Sequence, residues 1–358
     1  MNIRALAAAL AVTVAAGACS PAGSSARESG ETLAATTGLD VAQMDRALAR
    51  AEQMQPLRSL VVMRGGEVKV ARAFHGGPAV DRPVNIKSAS KSVLSAMVGI
   101  ALDKGVFTSV EQPVLSVLAD QAPANPDRLL GTVHIGHLLS MQSGLERTSG
   151  DNYGRWVSSS NWVRYALAQP FVARPGGDML YSTGNTHLLS AMLTKASGQS
   201  TWQLAQDWLA EPLGIAIPQW PRDPQGIYFG GNDMLMSPLD LAKFGEMYRN
   251  GGVVDGRQVV PRAWIEASWT SRTTSPFSGG DYGLGWFVSG AGRHPLYYAW
   301  GYGGQMLFIL PDLQLTVVMT SDTNVQRGSS HLGDLRSLLT DHIVPAAETG
   351  GDWRAAAP

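Results

Sequence analysis

The run Asn85-Ile86-Lys87-Ser88-Ala89-Ser90-Lys91-Ser92-Val93-Leu94 opens a helix that we predict from about Ser88 to Lys104, with Gly105 closing it. Residues three apart share a helix face, so the Ser88 hydroxyl and the Lys91 amine can meet. The first turn also directs free backbone N–H groups and the positive end of the helix dipole at the Ser88 oxygen. Ser88 is therefore a candidate nucleophile.

The Ser-x-x-Lys spacing has a second interpretation, because a serine that caps a helix and a solvated lysine one turn later give the same pattern. The sequence lacks the nucleophile elbow Gly-x-Ser-x-Gly, and its seven histidines show neither His-Glu-x-x-His nor a comparable metal-binding spacing. The choice between a catalytic and a structural serine depends on the rest of the chain.

The order of predicted elements indicates an α+β fold in which both ends of the chain complete one antiparallel sheet flanked by helices. The predicted strands and helices around the mostly helical stretch 106–237 are, in chain order, a helix over 39–54, a hairpin over 60–63 and 68–74, the helix over 88–104, a helix over 240–248, strands over 282–288, 306–310 and 315–320, and a helix over 330–343. We expect one domain over 38–346, with an α/β lobe (38–105 and 250–346), an inserted helical lobe (106–249) and a ligand cleft between them.

The composition excludes several classes of protein. The 358 residues are 44% hydrophobic and carry a formal net charge of −1, which excludes wholesale disorder and does not fit a nucleic-acid binder. A single cysteine cannot form an intramolecular disulfide or a cysteine-based zinc site. We therefore expect no metal and no cofactor, and a fold that holds by packing alone.

The N-terminal residues resemble an export signal. A short positive start, Met1–Arg4, precedes the apolar run Ala5–Ala18, which is too short to cross a bilayer stably. We predict a signal peptide over 1–18, a flexible tether over 19–37 and an exported protein of the periplasm or cell envelope. Cys19 follows the small residues of a cleavage site and resembles the acylated cysteine of a bacterial lipoprotein, so a lipid anchor and ordinary secretion both remain open.

Several blocks, taken in order and spacing, resemble the serine β-lactamase and penicillin-binding-protein superfamily. The branch they resemble is class C-like and includes 6-aminohexanoate-dimer hydrolases and family VIII esterases. The blocks are 85–94, His137-Leu138-Leu139-Ser140-Met141-Gln142-Ser143-Gly144-Leu145, Tyr181-Ser182-Thr183-Gly184-Asn185, Ser237-Pro238-Leu239-Asp240-Leu241-Ala242-Lys243-Phe244-Gly245, Tyr282-Gly283-Leu284-Gly285-Trp286 and Gly301-Tyr302-Gly303-Gly304-Gln305.

The resemblance implies a role for individual residues. It makes Ser88 the acylated nucleophile, Lys91 its partner and Tyr181 the tyrosine of a Tyr-x-Asn motif, in which Thr183 replaces the usual asparagine. It further implies substrate binding by Asn185 and by the third motif, Tyr302-Gly303-Gly304, or by the same motif shifted by one residue. Backbone N–H groups of Ser88 and Gln305 would then form the oxyanion hole.

The resemblance implies an acyl-enzyme mechanism on a small ester, amide or lactam. Lys91 and Tyr181 have reference pKa values of about 10.4 and 10, so we expect a coupled pair and leave the base unassigned. The third motif lacks the lysine or histidine that suits a substrate carboxylate, which favours neutral esters or amides. The alternatives are a β-lactamase, DD-peptidase or D-aminopeptidase of the cell wall, and a catalytically inactive binding module.

Overall fold

The computed structural model describes residues 38–324 and 330–350. The predicted signal peptide, the tether and Cys19 lie outside the described residues. None of the helices within those ranges is both long enough and apolar enough to cross a membrane.

An eight-stranded antiparallel sheet forms the frame, with β1 pairing both β2 and β12. Its strands, in spatial order, are β2 (Glu67–Ala73), β1 (Leu57–Arg64), β12 (Leu315–Ser321), β11 (Gln305–Leu310), β10 (His294–Gly301), β9 (Phe287–Ala291), β8 (Asp281–Tyr282) and β7 (Thr273–Thr274). Two short ladders lie apart from it, β3 (Val84–Asn85) with β4 (Leu235–Met236), and β5 (Val253–Val254) with β6 (Arg257–Gln258).

Helices cover both faces of the sheet and fill the inserted stretch. They are α1 (Val41–Gln53), α2 (Ser90–Asp103), α3 (Leu115–Leu118), α4 (Ile135–Leu139), α5 (Tyr153–Val157), α6 (Trp162–Leu167), α7 (Thr183–Ser197), α8 (Thr201–Ala205), α9 (Glu211–Leu213), α10 (Pro238–Arg249), α11 (Arg262–Trp269), α12 (His331–Ser337) and α13 (Val344–Thr349). π-helical turns join α8 to α9 (Gln206–Ala210) and α12 to α13 (Leu338–Ile343), and 3₁₀ turns cover Lys87–Ala89, Ala119–Gln121, Arg128–Thr132, Gly150–Asn152 and Pro311–Leu313.

Each face of the sheet belongs to a different hydrophobic core. Side chains alternate along a strand, so in β11 Leu307 and Ile309 enter the core shared with α2 and the helical insert. Met306 and Phe308 enter the core shared with α1 and the C-terminal helices. Burial on both faces explains why β11 is apolar at every position from Met306 to Leu310 although the sheet is antiparallel.

The predicted α+β class is confirmed, and three details of the prediction are wrong. The strand expected over 282–288 is two strands, because Gly283 and Gly285 lie too close to Ser268 and Ser95 for a regular ladder. Strand β10 was not predicted, since its sequence combines a polar start, a proline and a glycine end. Ser88 lies in a 3₁₀ turn, and the α-helix begins two residues later.

A histidine between two carboxylates ties the start of β10 to the C-terminal helix. His294 is 6% exposed; its Nδ1 lies 2.5 Å from Asp312 Oδ2 and its Nε2 lies 2.9 Å from Glu348 Oε1. Desolvation lowers the pKa of His294, but the hydrogen bonds and negative charges of Asp312 and Glu348 outweigh it and raise the pKa above 6.5. The protonated ring therefore stabilises this corner of the fold.

We predict that His294→Gln removes a pH-dependent part of the stability. A raised folded-state pKa gives stabilisation that is complete below the unfolded pKa of about 6.5 and is lost as pH rises through the folded pKa. Urea unfolding at pH 5.5 and pH 8.5 should show a larger loss for the variant at pH 5.5. His75→Asn, an exposed substitution at a positive-φ turn where asparagine is tolerated, is the control. An equal loss at both pH values for His294→Gln would contradict the prediction.

Candidate active site

Ser88 and Lys91 meet at the start of α2. The Lys91 ammonium Nζ lies 3.1 Å from Ser88 Oγ, within hydrogen-bonding distance. The same nitrogen donates to the Gly231 carbonyl at 2.6 Å and lies 3.3 Å from Thr183 Oγ1. The lysine therefore points at the serine from inside the protein, as a base for a hydroxyl must.

Burial changes the protonation of Lys91. The side chain is 2% exposed within a helix whose residues from Ser90 to Ala101 are all buried. Desolvation lowers the pKa of Lys91 to about 7, although the negative charge of Asp233 acts in the opposite direction. A large fraction of the amine is therefore neutral at pH 7, and the neutral amine can accept a proton.

Tyr181 faces the same serine. Its ring centroid lies 5.0 Å from Lys91 Nζ. Burial raises the pKa of Tyr181 to about 12, and a side-chain hydrogen bond with Ser88 only partly offsets the rise. The phenol therefore keeps its proton at pH 7, whereas a large fraction of the Lys91 amine is neutral, and this difference distinguishes the two groups that the sequence left as one coupled pair.

Thr183 is a site residue that the sequence analysis did not select. It occupies the third position of Tyr181-Ser182-Thr183, where the Tyr-x-Asn motif would place asparagine, and its hydroxyl lies between Lys91 Nζ and Ser149 Oγ, 3.0 Å from the latter. The Thr183 N–H also donates to Ser149 Oγ at 2.9 Å. The position of Thr183 in the Tyr-x-Asn motif was the sequence signal that could have identified it as a site residue.

The carbonyl that binds Lys91 belongs to a tightly fixed loop. Gly230 and Gly231 pass so close to α7 that a Cβ at Gly231 would lie 2.4 Å from Thr186 Oγ1 and 2.7 Å from Lys91 Cγ. Helix α7 anchors this loop through His187, which is fully buried with its Nε2 3.0 Å from Asp223 Oδ2. Its Nδ1 accepts the Gly230 N–H at 3.3 Å. These contacts fix the Gly231 carbonyl.

An ion pair borders Ser88, and the backbone of both its partners is strained. Lys87 Nζ lies 2.9 Å from Asp233 Oδ1, and Asn85 Nδ2 donates to the same oxygen at 2.7 Å. Lys87 and Asp233 have φ angles of 50° and 55°, in the left-handed region that non-glycine residues seldom occupy. Strain of this kind persists where the surroundings fix the conformation, and it is frequent at functional sites.

The site opens into one cleft of about 760 Å³. Its walls are formed by Lys87, Ser88, Arg147, Ser149, Gly150, Tyr153, Tyr181, Thr183, Asn232, Asp233, Phe277, Phe287, Trp300, Tyr302, Gly303, His331 and Leu332. The cleft thus brings together the turn before α2, the start of α7 and the β10–β11 turn. That size suits a small organic ligand.

The third motif is divided by the β10–β11 turn. Tyr302 and Gly303 line the cleft, whereas Gly304 packs against Ser321 and His331. Gln305 is the first residue of β11 and pairs with Gly301; its side-chain amide donates to the Ser321 carbonyl at 2.7 Å. Neither Gly304 nor Gln305 is among the residues that line the cleft, which argues against the predicted substrate contact of Gly304 and gives the predicted Gln305 donor no support.

Asn185 corrects the sequence prediction. It is 2% exposed, its Oδ1 accepts the Ser143 hydroxyl at 3.1 Å, and it does not line the cleft. Tyr181 precedes the N-cap of α7 and lines the cleft, whereas Asn185 is the third residue of the helix and is buried in the core. Thr183 fills the place in the cleft that was expected for an amide.

Comparisons with known proteins identify the family. The family model described as Beta-lactamase matches residues 44–340. The 6-aminohexanoate-dimer hydrolase of Paenarthrobacter ureafaciens is 25% identical over 294 residues, covering 74% of this chain and 72% of the relative. Among solved structures, EstCE1, a hydrolase with promiscuous acyltransferase activity, superposes with a TM-score of 0.68 at 18% identity, covering 83% of this chain and 98% of that one. A penicillin-binding protein homologue from Caulobacter crescentus gives 0.67 at 18% identity, covering 87% and 99%.

The chain therefore belongs to the β-lactamase family, and it is a serine hydrolase of the superfamily that contains esterases, amidases, β-lactamases and penicillin-binding proteins. The predicted recognition is confirmed. Within residues 38–324 and 330–350, no group of three or more His, Cys, Asp or Glu side chains could hold a metal ion.

We predict that ester hydrolysis follows the ionisation of Lys91. Below a pKa of about 7 the neutral amine decreases tenfold per pH unit, so kcat/KM should fall about tenfold between pH 6 and pH 5 and level off above pH 8. Lys91→Met should lower kcat by at least about a hundredfold. Lys104→Met, on the exposed end of the same helix, is the matched control. A flat profile from pH 5 to 9 would contradict this role.

We predict that Gly231→Ala inactivates the protein, because its Cβ would displace Lys91 or the carbonyl that binds it. Gly226→Ala is the control: φ is 85° there, but a Cβ would meet nothing within 4 Å. Backbone strain of about 1–2 kcal/mol should lower the melting temperature of both variants. Only Gly231→Ala should reduce kcat more than about a hundredfold; equal activities would show that the loop is not part of the site.

Proposed function

We propose that the protein hydrolyses small esters or amides through an acyl-enzyme on Ser88. The observation that carries the proposal is the convergence of three groups from two distant segments: the Ser88 hydroxyl lies 3.1 Å from the buried Lys91 amine, and the Tyr181 ring, which lines the same cleft as Ser88, lies 5.0 Å from that amine. A structural serine before a helix needs neither neighbour.

In the proposed acylation, neutral Lys91 removes the Ser88 proton as the hydroxyl oxygen attacks the substrate carbonyl carbon. The attack gives a tetrahedral oxyanion, which two backbone N–H groups stabilise. The lysine ammonium formed in this step keeps the Gly231 carbonyl as its acceptor. Tyr181 donates its proton to the leaving alkoxide or amine and is reprotonated from Lys91. Lys91, neutral again, then takes a proton from water as the water oxygen attacks the acyl carbon. The bond between that carbon and Ser88 Oγ breaks, the acid leaves, and Lys91 returns the proton to Ser88 Oγ.

We propose Ser88 and Tyr302 as the two oxyanion donors, in place of the Ser88–Gln305 pair. A Cβ at Gly301 would lie 2.3 Å from the Ile86 carbonyl and 3.1 Å from Lys87 Cβ, so the chain just before Tyr302 contacts the turn that bears Ser88. Tyr302 lines the same cleft. One donor of this kind typically contributes about 3–4 kcal/mol to transition-state stabilisation.

We predict that a fluorophosphonate probe labels Ser88 and that Ser88→Ala abolishes both labelling and p-nitrophenyl butyrate hydrolysis. Ser90→Ala should still be labelled, because the Ser90 hydroxyl donates to the Lys87 carbonyl and does not line the cleft. A panel of esters, amides, D-amino-acid amides and a cephalosporin, measured with the same samples, ranks the substrate classes. Labelling of another residue, or wild-type turnover by Ser88→Ala, would refute the mechanism.

A further inference from the structure

The cleft carries one positive charge without a negative partner. Of its charged residues, Lys87 and Asp233 form an ion pair at 2.9 Å, so their charges offset each other. Burial lowers the pKa of His331, whose ring lies 2.9 Å from the Ser321 hydroxyl, and leaves it neutral at pH 7. Arg147 makes no ion pair with any residue in the described part of the chain. Its guanidinium is the uncompensated charge.

The backbone that bears Arg147 is hydrogen-bonded to the second motif, Tyr181-Ser182-Thr183, and to the residue after it. On one side of it, the Glu146 N–H donates to the Pro170 carbonyl at 2.8 Å. On the other side, the Thr148 N–H donates to Ser182 Oγ at 3.1 Å, and Thr148 Oγ1 accepts the Gly184 N–H at 2.8 Å. The arginine is exposed, but its starting point is rigid relative to the segment that carries Tyr181. A rigid starting point lowers the entropic cost of binding a ligand.

The mouth of the cleft is apolar. Large hydrophobic side chains are exposed at only six positions of the described chain, and three of these line this cleft. They are Phe277, Tyr302 and Leu332, which are 53%, 51% and 39% exposed. Phe277 also meets the Tyr181 ring edge-on at a centroid distance of 6.0 Å. Exposed apolar side chains concentrated at one cleft indicate a ligand with an apolar part.

We propose that the natural substrates are amphiphilic esters or amides bearing one carboxylate, and that Arg147 binds this carboxylate while the apolar part contacts Phe277, Tyr302 and Leu332. The inference rests on the proposed acyl-enzyme function of the same cleft. It revises the expectation of neutral substrates, which followed from the absence of a cation in Tyr302-Gly303-Gly304. The cation is instead the Arg147 guanidinium, which belongs to the loop before Tyr181-Ser182-Thr183. The two parallel N–H groups of a guanidinium can donate two hydrogen bonds to one carboxylate.

Matched pairs of chromogenic esters test the proposal. One pair places the charge in the acyl part, as the p-nitrophenyl monoester of glutaric acid against p-nitrophenyl pentanoate. The other places it in the leaving group, as 3-carboxyphenyl butyrate against its methyl ester. We expect the anionic member of at least one pair to have a kcat/KM about tenfold higher, with the ratio falling as salt is raised from about 0.05 M to 0.5 M.

Variants assign the preference to Arg147. Arg147→Gln should abolish the ratio, and Arg147→Lys should keep part of it because the charge remains while the fork is lost. Arg155→Gln is the matched control, since this exposed arginine is eight residues along the chain and does not line the cleft; it should keep the wild-type ratio.

The outcomes separate the two proposals. Hydrolysis of the neutral esters with Ser88 labelled, but with no anionic preference or with a preference that Arg147→Gln leaves unchanged, would overturn the carboxylate proposal and leave the acyl-enzyme mechanism standing. Absence of turnover of all four esters, together with an unlabelled Ser88, would overturn both.

Discussion

The dehydration of one amine is the constraint on which the rest of the site depends. Lys91 lies in a helix buried on every side, and among residues 38–324 and 330–350 only the Gly231 carbonyl and two hydroxyls are close enough to hydrogen-bond to its nitrogen. Removing an ammonium from water shifts its ionisation unless a countercharge is near. Asp233 opposes that shift without contacting the amine, because its carboxylate is already engaged by Lys87 and Asn85. The pKa of Lys91 therefore depends on two opposing effects: burial lowers it, and the negative charge of Asp233 raises it.

This balance requires the surrounding backbone to be rigid. The Gly231 carbonyl keeps its position because α7 fixes the preceding loop through the fully buried His187–Asp223 contact. Left-handed conformations at Lys87 and Asp233 flank the nucleophile and the carbonyl, and each costs of order 1–3 kcal/mol that the packing around them must offset. The stability of the two cores and the chemistry of the cleft are thus coupled at these few residues.

The sequence was most informative where local pattern and spacing decide the structure. The β1–β2 hairpin and the Ser88–Lys91 pair follow from residues that are neighbours along the chain. Strand β10 could not be read in this way, because it is held by pairing with β9 and β11 rather than by its own composition. The predicted roles of Asn185 and Gln305 depended on the rotation of single side chains and on one turn, which only the packed structure determines.

Arg147, Asp233 and Gly231 were not predicted as site residues for a related reason. None of them belongs to a recognised block. Arg147 and Asp233 line the cleft and the Gly231 carbonyl binds Lys91 because loops fold back onto α7 or onto the segment that carries Tyr181. The charge composition of the sequence could not identify Arg147 either. Arg147 differs from the other charged residues of the cleft because Lys87 and Asp233 pair with each other and leave its guanidinium uncompensated. Such residues emerge only from the three-dimensional arrangement.

The sheet also has a consequence for how the chain acquires its structure during synthesis. Strand β1 lies between β2 and β12, so an N-terminal half emerging from the ribosome would present one long, apolar, unpaired strand edge until the last strand arrives. Pairings between such distant segments form slowly, because a long loop must close first. Incomplete chains are therefore the species most prone to aggregate, and the hydrolytic cleft exists only once the final third of the domain has joined the first.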